Sequence, residues 1–169
     1  MKIYITGSVG SGKSTLARRA AEKLGITATE LDRVVYGPDP EDPTDDRKRP
    51  VEERDAIFRD ILGRDSWVME DAGRKCFFDA PEQADQIILL QPPAAVRDFR
   101  IIRRWLRQRA GKEACGYRPS LHMLKNMFRW RRNYDSGRDD IRERLKPFSG
   151  KVRLLRSNNE VEQWLESLS

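Results

Sequence analysis

"KIYITGSVGSGKSTLARRAAEKLG" occupies residues 2–25, and its punctuation decides the fold. Lys2-Ile3-Tyr4-Ile5-Thr6 is a β-branched and aromatic run, which predicts a buried strand stopping at Gly7. From Lys13 to Leu24 the spacing becomes helical: Leu16, Ala20 and Leu24 share one face and Gly25 follows as a stop. Between them, Gly7-Ser8-Val9-Gly10-Ser11-Gly12-Lys13-Ser14 fits the pattern G-x-x-x-x-G-K-[ST]. A glycine-rich turn entering a helix aims several backbone N–H groups at one anion, and the helix dipole adds to them. Lys13 is therefore expected to reach the β- and γ-phosphates of ATP, and Ser14 to ligate Mg²⁺ through its hydroxyl. Gly7, Ser8, Val9, Gly10, Ser11, Gly12, Lys13, Ser14 and Thr15 form the expected nucleotide cradle.

Outward from this unit, strands and helices alternate. "ITATELD" (26–32) reads as a second strand, "SWVME" (66–70) as a third, and "QIILLQ" (86–91) as a fourth, stopped by Pro92-Pro93. "KVRLLRS" (151–157) reads as the last strand, with "NNEVEQWLESL" as the closing helix. Residues 37–50 hold four prolines and several aspartates, which predicts a loop or insertion. A helix then enters at Pro50 and ends near Gly63. Further helices are predicted over 93–109, 120–134 and 138–146. Short, almost wholly apolar strands between helices imply an α/β fold with a parallel sheet covered on both faces. With 169 residues and no internal repeat or low-complexity linker, one domain spanning 1–169 is expected.

Composition narrows the partners. Hydrophobic residues make up 38% and charged residues 36%, and no apolar run approaches the ~20 residues of a membrane span. The start runs directly into "KIYIT" and glycine without a secretory h-region, so a cytoplasmic protein with no membrane partner is expected. Cys76 and Cys115 lack metal-ligand spacing and read as plain thiols. The net charge of +6 suits a polyanionic partner, either nucleotide phosphates or nucleic acid. The charge is uneven: "DPEDPTDD" (39–46) is acidic, whereas 97–132 is dense in arginine.

Two groups of side chains could turn phosphate binding into chemistry. Mg²⁺ needs carboxylates near the C-terminal ends of neighbouring strands, where Asp32 follows the second strand and Glu70 with Asp71 follows the third. Either Asp32 or Glu70 could serve Mg²⁺ together with Ser14, or accept a proton from an acceptor hydroxyl. In "PPAAVRDFRIIRRWLRQR", Arg97, Arg100, Arg103, Arg104 and Arg107 fall within an arc of roughly 120° on a helical wheel. Val96, Phe99, Ile102 and Leu106 take another face, expected to point at the core. A polar face given over to arginine predicts an anion-facing surface that stabilises a transferring phosphoryl group. Glycines 111, 116 and 137 could hinge it as a lid.

Taken in order, "GSVGSGKSTLAR", "ELDRVVY", "DSWVMED", "ADQIILLQPP", the arginine helix and "NYDSGRDDIRERLKPFSGKVRLLRSNNEVEQWL" resemble the small P-loop kinases of the adenylate-kinase type. Within them the chain is similar to bacterial DNA topology modulation proteins. The resemblance implies a three-layer P-loop NTPase sandwich with a five-stranded parallel sheet in order 2-3-1-4-5 and a helical, arginine-rich lid. It puts an acceptor-site insertion at about 33–64 and the lid at about 97–140. "MEDAGR" sets Glu70 at the family's acid and Arg74 at its phosphate-binding arginine, with Glu for the usual Asp and Asp71 where glycine is usual. Arg100 and Arg104 match lid positions that meet the nucleotide, Arg132 and Arg138 a second lid arm, and Arg47, Lys48 and Arg49 the acceptor side.

The implied activity is ATP-dependent transfer of a γ-phosphoryl group to a small acceptor, a nucleoside monophosphate first and a metabolite hydroxyl second. Lys13, Asp32, Glu70, Arg74, Arg100 and Arg104 would be the catalytic set, with Ser14, Asp32 and Glu70 at Mg²⁺. The alternative is a nucleotide-dependent DNA- or RNA-binding protein or a polynucleotide kinase. Against it, no helix-turn-helix, zinc finger or interleaved aromatic and basic strand is present. Phe128 and Trp130 in "MFRWRRNY" (127–134) are expected to pack their helix rather than stack on bases. A monomer or homodimer is compatible with all of this.

Overall fold

The computed structural model describes residues 1–41 and 46–168. Its chain order is β1 (Lys2–Gly7), α1 (Lys13–Lys23), β2 (Ala28–Glu30), α2 (Leu31–Val35), β3 (Tyr36–Pro38), β4 (Asp46–Lys48), α3 (Val51–Leu62) and β5 (Trp67–Asp71). A 3-10 turn (Lys75–Phe77) and α4 (Asp79–Gln83) lead to β6 (Gln86–Leu90), α5 (Ala94–Arg109), α6 (Leu121–Asp135) and α7 (Ile141–Leu145). A second 3-10 stretch (Lys146–Lys151), β7 (Val152–Leu155) and α8 (Asn158–Glu166) close the chain.

Five strands form one parallel sheet in the order β2-β5-β1-β6-β7, which is 2-3-1-4-5 when these strands alone are counted. β1 lies at the centre, with Thr6 opposite Asp71 on one side and Leu89 on the other. Successive side chains of a strand alternate between faces, so β1 feeds two cores. Tyr4 joins Leu31, Phe58, Met69, Phe77 and Ile87 on one face, while Ile3 and Ile5 join Leu16, Ala20, Val68, Ile88 and Trp164 on the other. That double burial is why the strands read as continuous apolar runs. At the far end, Ser157 and Glu160 form a reciprocal capping box that starts α8, a device that stabilises by about 1 kcal/mol.

The structure departs from the sequence reading in three places. Residues 37–50 contain a two-stranded antiparallel hairpin, β3 with β4, that turn residues alone did not announce. Residues 42–45, part of the acidic run 39–46 and of the insertion predicted over 33–64, lie outside the described residues. The helix expected over 138–146 is delayed to Ile141 because Gly137 and Asp140 take left-handed backbone, and it passes into 3-10 geometry after Leu145.

The third departure concerns α5. Val96, Phe99, Ile102 and Leu106, expected in the core, are exposed, and Phe99 is 65% accessible. The buried face carries Arg97, Ile101, Trp105 and Gln108 instead. Apolar periodicity misled because α5 packs on the phosphate loop and α6, where a polar group with a waiting partner can be buried. Among the described residues, no helix is long and apolar enough to cross a membrane.

Candidate active site

The loop between β1 and α1 is a tight, glycine-rich turn into the helix. Gly12 caps α1 in the left-handed region, at φ +100°, which an L side chain rarely adopts. Ser11 N donates to Ser8 O at 3.2 Å, drawing the loop into a tight turn. Lys13 Nζ donates to Ser8 O at 3.3 Å, and Arg100 on α5 donates from Nη1 to Ser11 O at 2.7 Å. Thr15 lies exposed in the first turn of α1, and Val9 is half-buried.

The sheet brings the acids alongside. Ser14 Oγ donates to Glu70 Oε1 at 2.9 Å, joining the first turn of α1 to the end of β5. Glu70 is only 4% exposed, and burial raises its pKa above the ordinary carboxylate value. The Asp32 charge pushes the same way, while Lys13 and the Ser14 hydroxyl oppose both. A buried carboxylate disfavoured by desolvation, beside a hydroxyl, is a hard-oxygen pair that a small divalent cation would relieve. Among the described residues there is no group of three or more His, Cys, Asp or Glu fit to cage a metal. Ser14 and Glu70 could hold Mg²⁺, which takes one or two carboxylates and keeps most of its water.

Asp32 stands on the first turn of α2 with an exposed carboxylate, ion-paired to Arg74. Arg74 bridges Asp32 and Asp71. Burial works against its charge, but the two carboxylates outweigh that and hold its pKa above the ordinary arginine value. Asp71, which sequence reading set merely beside Glu70, organises this corner. It is buried at the end of β5, accepts from Gly73 N at 2.7 Å, and takes Tyr4 Oη at 3.5 Å. The Asp-x-Gly spacing in "DAG" (71–73) was the available signal, since an aspartate commonly turns the chain two residues on. Arg144, from α7, also converges here, with Nη2 donating to Gly73 O at 2.7 Å.

The remaining arginines divide. Arg97 and Arg100 reach the loop, whereas Arg104 points into the loop after α5 and pairs with Glu113 at 3.7 Å. The five arginines thus do not form one anion-facing surface, because the apolar residues between them take the solvent side and Arg97 turns inward. In the β3–β4 hairpin, Arg47 and Arg49, expected on the acceptor side, line a cavity of about 210 Å³ with Gly37, Pro38 and Glu53, while Lys48 is exposed. Trp130 is exposed on α6, against the expectation that it packs, and Phe128 is half-buried.

A family model described as the AAA domain matches residues 3–113. A shikimate kinase of Gloeobacter violaceus is 38% identical over 66 residues, covering 38% of this chain and 34% of that protein. The chain thus matches about a third of the length of this curated relative. Among solved structures, the shikimate kinase from Acinetobacter baumannii in complex with shikimate superposes on 99% of this chain and 89% of its own, with TM-score 0.59 and 18% identity. A gluconokinase from Sinorhizobium meliloti 1021 does so over 99% and 92%, with TM-score 0.53 and 17% identity. At such identities the likeness is one of fold, and chemistry has to be argued from the site.

Proposed function

The chain belongs to the AAA-domain family, and from that premise we propose that it is an ATP-dependent kinase transferring the γ-phosphoryl group to a small acceptor. The observation that carries the reading is the Ser14–Glu70 pair at the mouth of the phosphate loop, with a second pair formed by Asp32, on α2 just after β2, and Arg74, just after β5. Loop N–H groups and Lys13 hold the β- and γ-phosphates, and Arg100 approaches from α5. Ser14 and Glu70 would hold Mg²⁺, with the Asp32 charge nearby. Bound there, Mg²⁺ neutralises charge on the phosphate oxygens.

Arg74 exchanges part of its pairing with Asp32 for an anionic group on the acceptor. Asp32 is then free to accept the proton of the attacking hydroxyl. Guanidinium and carboxylate together suit a small acid bearing a hydroxyl, a reading supported by the segment shared with a shikimate kinase. A nucleoside monophosphate is the alternative acceptor, supported by the adenylate-kinase-like order of motifs.

The test is ADP release from ATP-Mg²⁺ with a panel of hydroxylated acids, shikimate and gluconate included, beside nucleoside monophosphates. Turnover with one group assigns the acceptor, and absence of turnover with every member counts against the kinase. Lys13→Ala is expected to lower turnover at least about 100-fold, the usual scale for losing one preorganised charge donor. A second reading, a nucleic-acid partner, is favoured by exposed Trp130 beside Arg129 and Arg132 on α6. It requires binding to single-stranded DNA at about 0.1 M salt that weakens steeply as salt rises.

A further inference from the structure

Arg97 is the one arginine of α5 that the protein buries, at 3% exposure, and nothing in the phosphoryl-transfer scheme uses it. Its guanidinium is nevertheless committed on two sides. Nη1 donates to Ser8 Oγ at 2.8 Å, in the phosphate loop. Nη2 pairs with Asp135 Oδ1 at 2.8 Å, in the last turn of α6, and the plane lies 5.9 Å from the Tyr134 ring centroid. Asp135 is held in turn by Arg131 Nη1 at 2.9 Å, and Arg131 reaches back to Asp98 at 2.9 Å. Asp98 follows Arg97 on α5, so two arginines and two aspartates close a ring between the lid helices. Beneath it the loop fits closely, since a Cβ on Gly10 would stand 2.7 Å from the Arg97 carbonyl oxygen.

A buried guanidinium is costly unless its partners are fixed, and here one partner is the phosphate loop and the other the lid helix. Undocking α6 removes Asp135 and leaves the Arg97 guanidinium with only the Ser8 hydroxyl as partner. The lid position and the loop conformation are therefore energetically linked through one side chain, and such a link acts equally in both directions.

Resting on the reading of residues 7–14 as the nucleotide site, we propose that Arg97 is a positioning residue that couples docking of α6 to the nucleotide-binding conformation of the phosphate loop. It touches no substrate, and it acts by fixing Ser8 relative to Asp135. Loop and α6 tighten together when nucleotide binds, and ADP then protects amides of the α6 C-terminus that it does not contact.

The experiment uses the full chain, with ADP titrated by calorimetry and hydrogen exchange followed at residues 131–138. Arg97→Met keeps the stem and removes the contacts to Ser8 and Asp135, and Arg97→Lys restores charge without the fork. Asp135→Asn cuts the link from the partly exposed side, and it carries the test if Arg97→Met fails to fold. Arg97→Met and Asp135→Asn are each expected to weaken ADP about tenfold. The double variant should be no weaker than either single, since both break one link. Lys should recover only part of the affinity, and ADP-induced protection at 131–138 should be lost in both single variants.

Folded variants that bind ADP as the parent does, or that keep the induced protection, would overturn the coupling and leave Arg97 a packing residue. A parent chain that binds no ADP would overturn the nucleotide reading itself, and the coupling with it.

Discussion

At the scale of one residue, Glu70 is where the proposed metal role and stability pull in opposite directions. Its carboxylate is nearly inaccessible, accepts from Ser14 Oγ at 2.9 Å, and is pushed by burial above the ordinary carboxylate pKa. A raised carboxyl pKa means the folded chain binds that proton more tightly than the unfolded chain does. The ionised form at neutral pH therefore carries a folding penalty. Glu70→Gln keeps an acceptor for Ser14 and removes the charge. It is expected to raise the melting temperature by a few degrees, since about 1 kcal/mol corresponds to ~2–4 °C in a domain of this size. The same substitution should abolish Mg²⁺-dependent turnover, and Mg²⁺ with ADP should stabilise the parent more than the variant. A variant that melts lower than the parent would mean that Glu70 is structurally satisfied rather than waiting for a cation. The identity of this acid was legible in "WVMED" from its place at a strand end. Its partner Ser14 stands 56 residues earlier, and the two meet only because β1 pairs with β5.

At the scale of the element, α5 separates what periodicity reveals from what packing decides. The helix itself was legible: Pro93 precedes its first turn, apolar residues recur at helical spacing, and the ends fall within a residue of 93–109. Its orientation was not, because a wheel ranks faces by hydropathy and cannot see that Ser8 and Asp135 wait for Arg97. The face toward the protein runs Arg97, Ile101, Trp105 and Gln108, spaced by four, four and three. Trp105 Nε1 donates to Ser120 O at 3.1 Å, which fixes the start of α6 against it. Ile101→Ala is accordingly expected to cost about 2–5 kcal/mol, the range for truncating a buried aliphatic side chain. Phe99→Ser and Leu106→Ser, at the positions sequence patterning placed in the core, should each change stability by less than about 0.5 kcal/mol. Urea denaturation of the three variants checks the orientation, and a large loss for Phe99→Ser would return the apolar stripe to the interior.

At the scale of the whole molecule, sheet order and closure differ in how they are encoded. The strands could be anticipated as short apolar runs between breakers, but their order 2-3-1-4-5 came only from the resemblance of the whole succession to small P-loop kinases. Closure could not be anticipated, because it depends on contact between two segments of irregular sequence. Asp46, at the start of β4, donates its backbone N–H to Gly116 O at 3.1 Å, joining the β3–β4 hairpin to the loop between α5 and α6. The two arms thereby touch, and in the kinase proposed above that contact would help keep water from the phosphoryl group. Gly116 permits the approach, since a Cβ there would run into the Asp46 carboxylate, and its backbone lies outside the left-handed region. A side chain at 116 therefore costs only the contact between the arms. Gly116→Val is expected to hold the arms apart, raise KM for both substrates several-fold, and increase ATP hydrolysis without acceptor relative to transfer. Its melting temperature should stay within about 2 °C of the parent, as for most surface substitutions. Gly150→Val is the control, because a Cβ at 150 meets open space and the position lies outside both arms. Equal ratios of hydrolysis to transfer in the two variants would show that contact between Asp46 and Gly116 does not govern water exclusion. A raised ratio in Gly116→Val alone would assign that role to the meeting of hairpin and lid.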